Sequence, residues 1–317
     1  MILVVSYPNE EHTIDVVNRL RNAGREVRIL NLSDFPGRAN VSLSWSEKSD
    51  PKYQIDGPEG NCDLSTVRVA WWRRVVPFEI EPRIKDVAQR AFAESETSQA
   101  INGVLDAIEC TWINPRCADE SAHRKPLQWD VAKRIGLTLP QTLVTNDPDA
   151  GRNFIEKVGI GKTVFKAFLS IIEDWRETRL IKPQDLDRLE SLRYAPVIFQ
   201  EYIEGVDLRI IVIGDRIFAA EIDARKTSYP VDMRMVIGEA SMKPIKLPSD
   251  LQHMILRFMR ALGLIYGAID MRRTDEGDFV FLEVNPAGQW LFVEERTGLP
   301  ISQAMADLLS ELHDKHA

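Results

Sequence analysis

The sequence predicts an α/β protein, parallel βαβ at its start and built from antiparallel (α+β) hairpins toward its end. Three observations carry that expectation. Ile2–Ser6 is a short continuous apolar run, as in a strand covered on both faces. Thr13–Ala23 sets Ile14, Val17 and Leu20 at helical spacing before Gly24, and Glu26–Leu32 reads as the next strand, so a right-handed parallel crossover is expected. Near the other end, turn signals at Gly214-Asp215 and at Asp275-Glu-Gly277 each separate two β-rich pieces.

The remaining elements follow in order. The turn after the first strand, Ser6-Tyr-Pro-Asn-Glu, lacks the glycine fingerprint of a dinucleotide site, which argues against a nicotinamide cofactor there. Residues 36–65, rich in Ser, Pro, Gly, Asn and Asp, read as loops or an edge hairpin. Thr66–Arg74 resembles a strand with a basic tip, Ile84–Ile108 a long helix, and Trp112-Ile-Asn-Pro115 a strand and turn. Leu127–Gly136 is a helix stopped by glycine, and Thr163–Phe168 and Val197–Tyr202 are strands. Ser249–Leu262 is an amphipathic helix opened by Pro248-Ser249-Asp250, and Ile301–His313 is the terminal helix.

Composition narrows the function class. The 317 residues allow about two domains. Lys and Arg total 40 against 48 Asp and Glu, a formal charge of −8 that argues against a general nucleic-acid binder. Cys62, Cys110 and Cys117 are too few and scattered for a disulfide framework or zinc site. No apolar run approaches the ~20 residues that span a bilayer, and neither terminus carries a targeting or lipidation signal, so a soluble cytoplasmic protein is expected.

The sharpest chemical signal is Gly267-Ala-Ile-Asp-Met271, a hairpin, then Phe281-Leu-Glu-Val-Asn-Pro286. Strand alternation sets Glu283 and Asn285 on one face, and Asp270 on the neighbouring strand can join them. Two carboxylates and an amide oxygen make a hard site suited to Mg²⁺ with nucleotide phosphates. A solvated hairpin is the plain alternative; the apolar neighbours Ile269, Phe281 and Val284 weigh against it, because charges among core positions need a partner. In Phe199-Gln-Glu-Tyr-Ile-Glu-Gly-Val-Asp-Leu-Arg209, backbone groups can face an adenine edge while Glu204 or Asp207 accepts from ribose hydroxyls. Lys166 lies within a strand and suits a phosphate partner, unless that strand is an edge and the lysine points outward.

From about residue 114 to 313 these pieces resemble, in order, an ATP-grasp ligase: Asn114-Pro115, Lys125, Pro140-Gln-Thr142, Lys166, Gln200-Glu-Tyr-Ile203, Asp207-Leu-Arg209, Asp270 and Glu283-Val-Asn285. Within that superfamily the chain resembles the microviridin-type (graspetide-forming) peptide maturases, relatives of the ribosomal-protein glutamate ligases. The features are Trp71-Trp72-Arg73-Arg74, Asp232-Met-Arg234, and Asn285-Pro-Ala-Gly-Gln-Trp290 leading to Glu294-Glu-Arg-Thr-Gly-Leu-Pro300.

The resemblance implies an ATP-grasp fold with a pre-ATP-grasp domain at 1–115, a central lid-like subdomain at 116–203 and a catalytic subdomain at 204–317. It matches Lys125 and Lys166 to phosphate-binding lysines, Glu201, Tyr202 and Ile203 to the adenine hinge, Glu204 and Asp207 to the ribose, and Asp270, Glu283 and Asn285 to magnesium. Arg209, Arg225 and Arg234, with Asp232, are the expected catalytic set. ATP and Mg²⁺ are the implied cofactors; the implied partner is a precursor peptide with a leader and an acidic core, and a homodimer is expected. The implied activity turns Asp or Glu side chains of that peptide into acylphosphates and joins them to Ser, Thr or Lys. A ligase for free amino acids and a non-catalytic ATP-binding module are the alternatives. The chain departs from the family pattern at Phe168-Leu-Ser-Ile-Ile-Glu-Asp-Trp175, which has no glycine, and at 225–234, which lacks the glutamate-ligase motif. The charged stretch Asp174–Arg193 is a solvated face or, as the resemblance implies, part of a leader-recognising helix. His123 and His253 are expected to be structural, and Trp71-Trp72 to pack in the core or at an interface.

Overall fold

The structure is a computed structural model that describes residues 1–168, 178–229 and 231–315. It opens with β1 (Ile2–Ser6), α1 (Glu11–Asn22) and β2 (Val27–Leu30), continues through β3 (Asn40–Ser46), β4 (Ser49–Gly57) and β5 (Gly60–Asp63), and then β6 (Val69–Arg74), α2 (Val87–Ala107) and β7 (Thr111–Ile113). The first sheet has the order β2-β1-β6-β7 with every neighbour parallel. All five residues of β1 are buried, which is why that strand reads as an unbroken apolar run. The 36–65 stretch goes further than the expected hairpin: β3, β4 and β5 form a separate antiparallel sheet. Val41, Leu43 and Tyr53 turn inward from it onto a core that includes Ile55 and Leu64, while the intervening serines face solvent.

A central segment comprises α3 (Arg116–Ala122), α4 (Lys125–Ile135), β8 (Thr142–Thr145), α5 (Pro148–Val158), β9 (Thr163–Lys166), β10 (Arg179–Leu180) and β11 (Val197–Glu201). Its sheet runs β10-β9-β11-β8, all antiparallel, and α5 covers it through Ile155 and Phe199. Lys166 therefore sits on an interior strand, not an edge. Residues 183–194 are 3-10 helical with Leu189 and Leu192 buried, whereas 169–177, which carry most of the glycine-free stretch and the start of the charged one, lie outside the described residues. Helices α3 and α4 pack on the following sheet instead of the central one, through Ala122, Val131 and Ala132.

The last segment holds β12 (Val206–Ile213), β13 (Arg216–Asp223), β14 (Ser241–Ile245), α6 (Ser249–Leu262), β15 (Tyr266–Arg273), β16 (Phe279–Asn285), α7 (Leu291–Thr297) and α8 (Ile301–Asp314). Its sheet has the order β14-β13-β12-β15-β16 and is antiparallel throughout. Every residue of β12 is buried, and alternation splits the strand cleanly. Leu208, Ile210 and Val212 face α4 and α6, while Ile211 and Ile213 face α8 and the first sheet. Asp207 and Arg209 continue the second series, so the charged end of β12 opens on the side where the sheets meet. Among the described residues no helix is long and apolar enough to cross a membrane.

Candidate active site

The acidic centre is made by one irregularity in the last hairpin. Asp270 on β15 lies opposite Glu283 on β16, and Ala268 opposite Asn285, but the register shifts so that the next pair is Met271 with Phe281. Leu282 is the extra residue of a β-bulge, a feature common beside active sites. The bulge lets Phe281 point into the core while Glu283, two residues on, points the other way with Asn285. Side chains of α4 fix it. The indole of Trp129 donates to Leu282 O at 2.9 Å, and the Gln128 amide both donates to Val284 O (2.9 Å) and accepts from Val284 N (2.9 Å).

Cations surround these acids. Arg209 donates to Asp270 Oδ1 at 2.8 Å and to Gln289 O at 2.8 Å, and Lys125, at the start of α4, pairs with Glu283. Lys166 Nζ donates to Gln200 Oε1 at 2.7 Å, and Gln200 in turn donates to Thr142. Burial, reinforced by the charge of Lys125 and Arg234, pushes Lys166 down to about 7. Burial and Arg234 likewise push Lys125 down to about 8, with Asp270 opposing. Arg234 forks onto Asp232 (2.8 and 2.5 Å), whose carboxylate also caps the short helix Met233–Met235 and accepts from Thr178 N. Burial raises Asp232, but the Arg234 guanidinium outweighs it and the carboxyl ends below its ordinary range.

Two confluent cavities share Lys166, Arg234, Asp270 and Glu283. One reaches Glu201, Tyr202, Ile203 and Asp207; the other reaches Asn285, Arg209 and Phe292. In the hinge, the Glu201 and Tyr202 N–H groups already donate to Gln141 O and Lys162 O. Asp207 is buried against Arg272 (3.3 Å), which stacks over Tyr202, and burial pushes its carboxyl up to about 6. The geometry thus brings together Lys125, Lys166, Glu201, Tyr202, Ile203, Asp207, Arg209, Asp232, Arg234, Asp270, Glu283 and Asn285.

It does not bring in Arg225 or Glu204. Arg225 lies outside both cavities, exposed, held by Asp223 (2.7 Å) and Asp275 (3.0 Å). Those acids border the tip of the β15–β16 hairpin, so local ion pairing claims the arginine that a cleft role would need. Glu204 is exposed and is not part of the cavity wall, because the chain turns at Gly205 and carries it outward.

A buried junction behind Asn285 joins residues that the sequence reading names only as features of the resemblance, without a contact between them. Arg73, fully buried on β6, donates to Ala287 O (2.9 Å) and Gly288 O (2.8 Å) and pairs with Glu10 at 3.2 Å. Its guanidinium lies over Trp71 and Trp290; Trp71 is fully buried in the core, while Trp72 is half-buried and packs against the core of the first sheet. His12 Nδ1 meets Glu10 at 2.7 Å, while its Nε2 accepts from Trp290 N at 3.0 Å. Burial raises Glu10, yet the His12 and Arg73 partners outweigh it and hold the carboxyl well below the usual range. Asn114 staples the same turn, donating to Tyr266 O (2.9 Å) and Pro286 O (3.2 Å). Motif spacing gives no sign of it, because Arg73 and its two acceptors are 214 and 215 residues apart. His123, expected to be structural, donates from Nδ1 to Asp119 O at 2.8 Å and borders the second cavity.

The donor set, two carboxylates and an amide oxygen, fits a hard divalent cation completed by phosphate oxygens. Among the described residues no group of three His, Cys, Asp or Glu offers a competing metal site.

Comparison with known proteins bears on the family and the fold. Residues 1–120 match the model of the MvdD pre-ATP grasp domain, and residues 122–309 that of the RimK-like ATP-grasp domain. The chain is similar to macrocyclase MdnC bound with precursor peptide MdnA from Microcystis aeruginosa MRC, with 28% identity, TM-score 0.87, and coverage of 98% of this chain and 99% of that one. It is similar to a RiPP-associated ATP-grasp ligase of Chryseobacterium gregarium in complex with ADP and a leader and core peptide, with 27% identity, TM-score 0.88, and coverage of 98% and 96%. The ribosomal protein bS6--L-glutamate ligase of Escherichia coli O81 (strain ED1a) is 27% identical over 203 residues, 61% of this chain and 65% of the relative's length.

Proposed function

The chain belongs to the RimK-like ATP-grasp family, and from that premise we propose that it is an ATP-dependent ligase that activates Asp or Glu side chains of a ribosomal precursor peptide and closes ester or amide cross-links. The observation that carries the reading is the pairing of Asp270 with Glu283 across the bulged ladder, among Lys125, Lys166, Arg209 and Arg234, at the meeting of two cavities. One cavity ends at a backbone hinge suited to a planar base; the other is open for a second substrate.

Asp270, Glu283 and Asn285 would hold Mg²⁺, which when bound offsets negative charge on the β- and γ-phosphates. With two N–H groups of the hinge already engaged, Ile203 offers the next one to adenine. Lys166 and Lys125 neutralise phosphate oxygens, a role in which each regains the proton that burial disfavours. Arg209 and Arg234 bring a substrate carboxylate toward the triphosphate, and a planar fork suits that anion. The carboxylate oxygen attacks the γ-phosphorus and ADP leaves, giving an acylphosphate. A Ser or Thr hydroxyl, or a Lys amine, then attacks the acyl carbon, and inorganic phosphate departs. The resemblance further argues for a homodimer acting in the cytoplasm.

The test is ADP release with acidic peptides bearing Ser, Thr or Lys, set against free amino acids. One water lost from the peptide per ADP is the expected result. ADP formed with free amino acids and with no peptide would replace this reading by the amino-acid ligase. No ADP with either would leave a binding module.

A further inference from the structure

We propose that Arg74, at the end of β6, receives a carboxylate of the acidic peptide, so that the first sheet supplies part of the substrate site. The inference rests on the ligase reading and adds to it a residue and a direction of approach.

Topology is the first observation. From β1 the chain crosses to β2 on one side, and β6 lies on the other, so the direction of winding reverses between β1 and β6. In open parallel sheets ligands bind outside the carboxyl ends of the strands at such a reversal. Arg74 is at that place, paired with Ser6 just beyond a register shift.

The second observation is orientation. Strand alternation sends Arg73 and Arg74 opposite ways. Arg73 is consumed by Glu10 and the Ala287 and Gly288 carbonyls. Arg74 instead lines the cavity that holds Lys125, Asp270, Glu283 and Asn285. It does not line the hinge-side cavity but the one that runs on from the shared Asp270 and Glu283 to Asn285 and Phe292.

The third is pairing. Lys125, Arg209 and Arg234 each carry a carboxylate from this chain. Arg74 has no ion pair among the described residues; its unpartnered Nε is a feature it shares with Arg209. A guanidinium that lines a cavity and carries no carboxylate of its own can take one from a ligand, and a planar carboxylate matches its fork. The peptide's own acidic side chain is the acceptor this end of the cleft lacks.

Phenylglyoxal labelling of the full chain with Mg²⁺ and ADP, read by peptide mass spectrometry, tests this without any variant. The probe is acetyl-Thr-Glu-Ser-Glu-Thr-amide at millimolar concentration, with the Gln-for-Glu peptide as its control. Arg74 is expected to label several-fold more slowly with the Glu peptide and unchanged with the Gln peptide. Equal rates with both peptides, or equal protection by Mg²⁺ and ATP alone, would overturn the assignment. In kinetics with an active peptide, Arg74→Gln is expected to raise the peptide KM by about tenfold and leave the ATP KM unchanged, with Arg74→Lys between. A matching rise in both constants would make Arg74 a structural residue. ADP release without protection of Arg74 sinks this proposal alone. Protection without ADP release sinks the ligase reading and leaves the carboxylate site.

Discussion

Lys166 shows how burial and function meet in a single side chain. A lysine held down to about 7 is mostly neutral at pH 8, and a triphosphate beside it favours the charged form. Nucleotide binding at pH 8 should therefore take up about one proton, with more from Lys125, and close to none at pH 6. Calorimetry in buffers of different ionisation enthalpy measures this, and equal uptake at both pH values would contradict it. The stability consequence has a definite sign. With the folded values of both lysines depressed, the ligand-free fold binds fewer protons than the unfolded chain. The penalty is full below about 7 and is relieved as pH rises toward the ordinary lysine range. Lys166→Met should flatten that rise in thermal melts. The acids make a separate prediction. Glu283→Gln and Asp270→Asn keep shape and should leave the protein folded, at a cost of about 1–3 kcal/mol for the ion pair each gives up, yet lower turnover by at least ~10³-fold. Near-normal turnover in either variant would place the chemistry elsewhere.

Single elements decide how much of this could be read in advance. That Asp270, Glu283 and Asn285 share one face is legible because hairpin alternation is local and carboxylates among apolar residues stand out. Their geometry is not, since it depends on the bulge at Leu282, and Gln128, which completes it, is 156 residues from Val284. Strand β12 is legible from the hairpin turn that follows it and helix α6 from its period, whereas α5, α7 and β14 go unread, although Asp147, Pro148 and Gly159 bracket α5 with start and stop signals. Arg225 misled for a related reason: an arginine near the right loop in sequence finds closer acids in Asp223 and Asp275. The β6 element makes the next prediction. Arg73→Met strands the buried Glu10 carboxylate and frees the turn after Asn285, and should cost about 3–5 kcal/mol by chemical denaturation. Adding Glu10→Gln should recover part of that loss. An Arg73→Met protein as stable as the parent would show that the junction is not a structural clasp.

Across the whole molecule, the cleft exists only because separate sheets are joined at fixed points, and the tightest joint is a glycine. Gly205 links β11, which carries the hinge, to β12, which carries Asp207 and Arg209. Its φ is +135°, and a Cβ there would lie 2.1 Å from Arg273 O, while its own carbonyl accepts from Arg272 at 2.7 Å. No side chain fits without moving β15, the strand that presents Asp270. Gly205→Ala should therefore do two things at once. It should destabilise the protein by about 2 kcal/mol or more, because both the backbone angle and the close approach oppose it. It should also raise the KM for ATP more than that for the peptide, because the shift separates Ile203 from Asp270 while the far end of the cleft, at Arg74 and Phe292, is built on other elements. Steady-state kinetics with each substrate varied in turn reads the split. A variant that loses stability with both KM values unchanged would mean that the hinge and the acidic centre keep their spacing through contacts other than this joint.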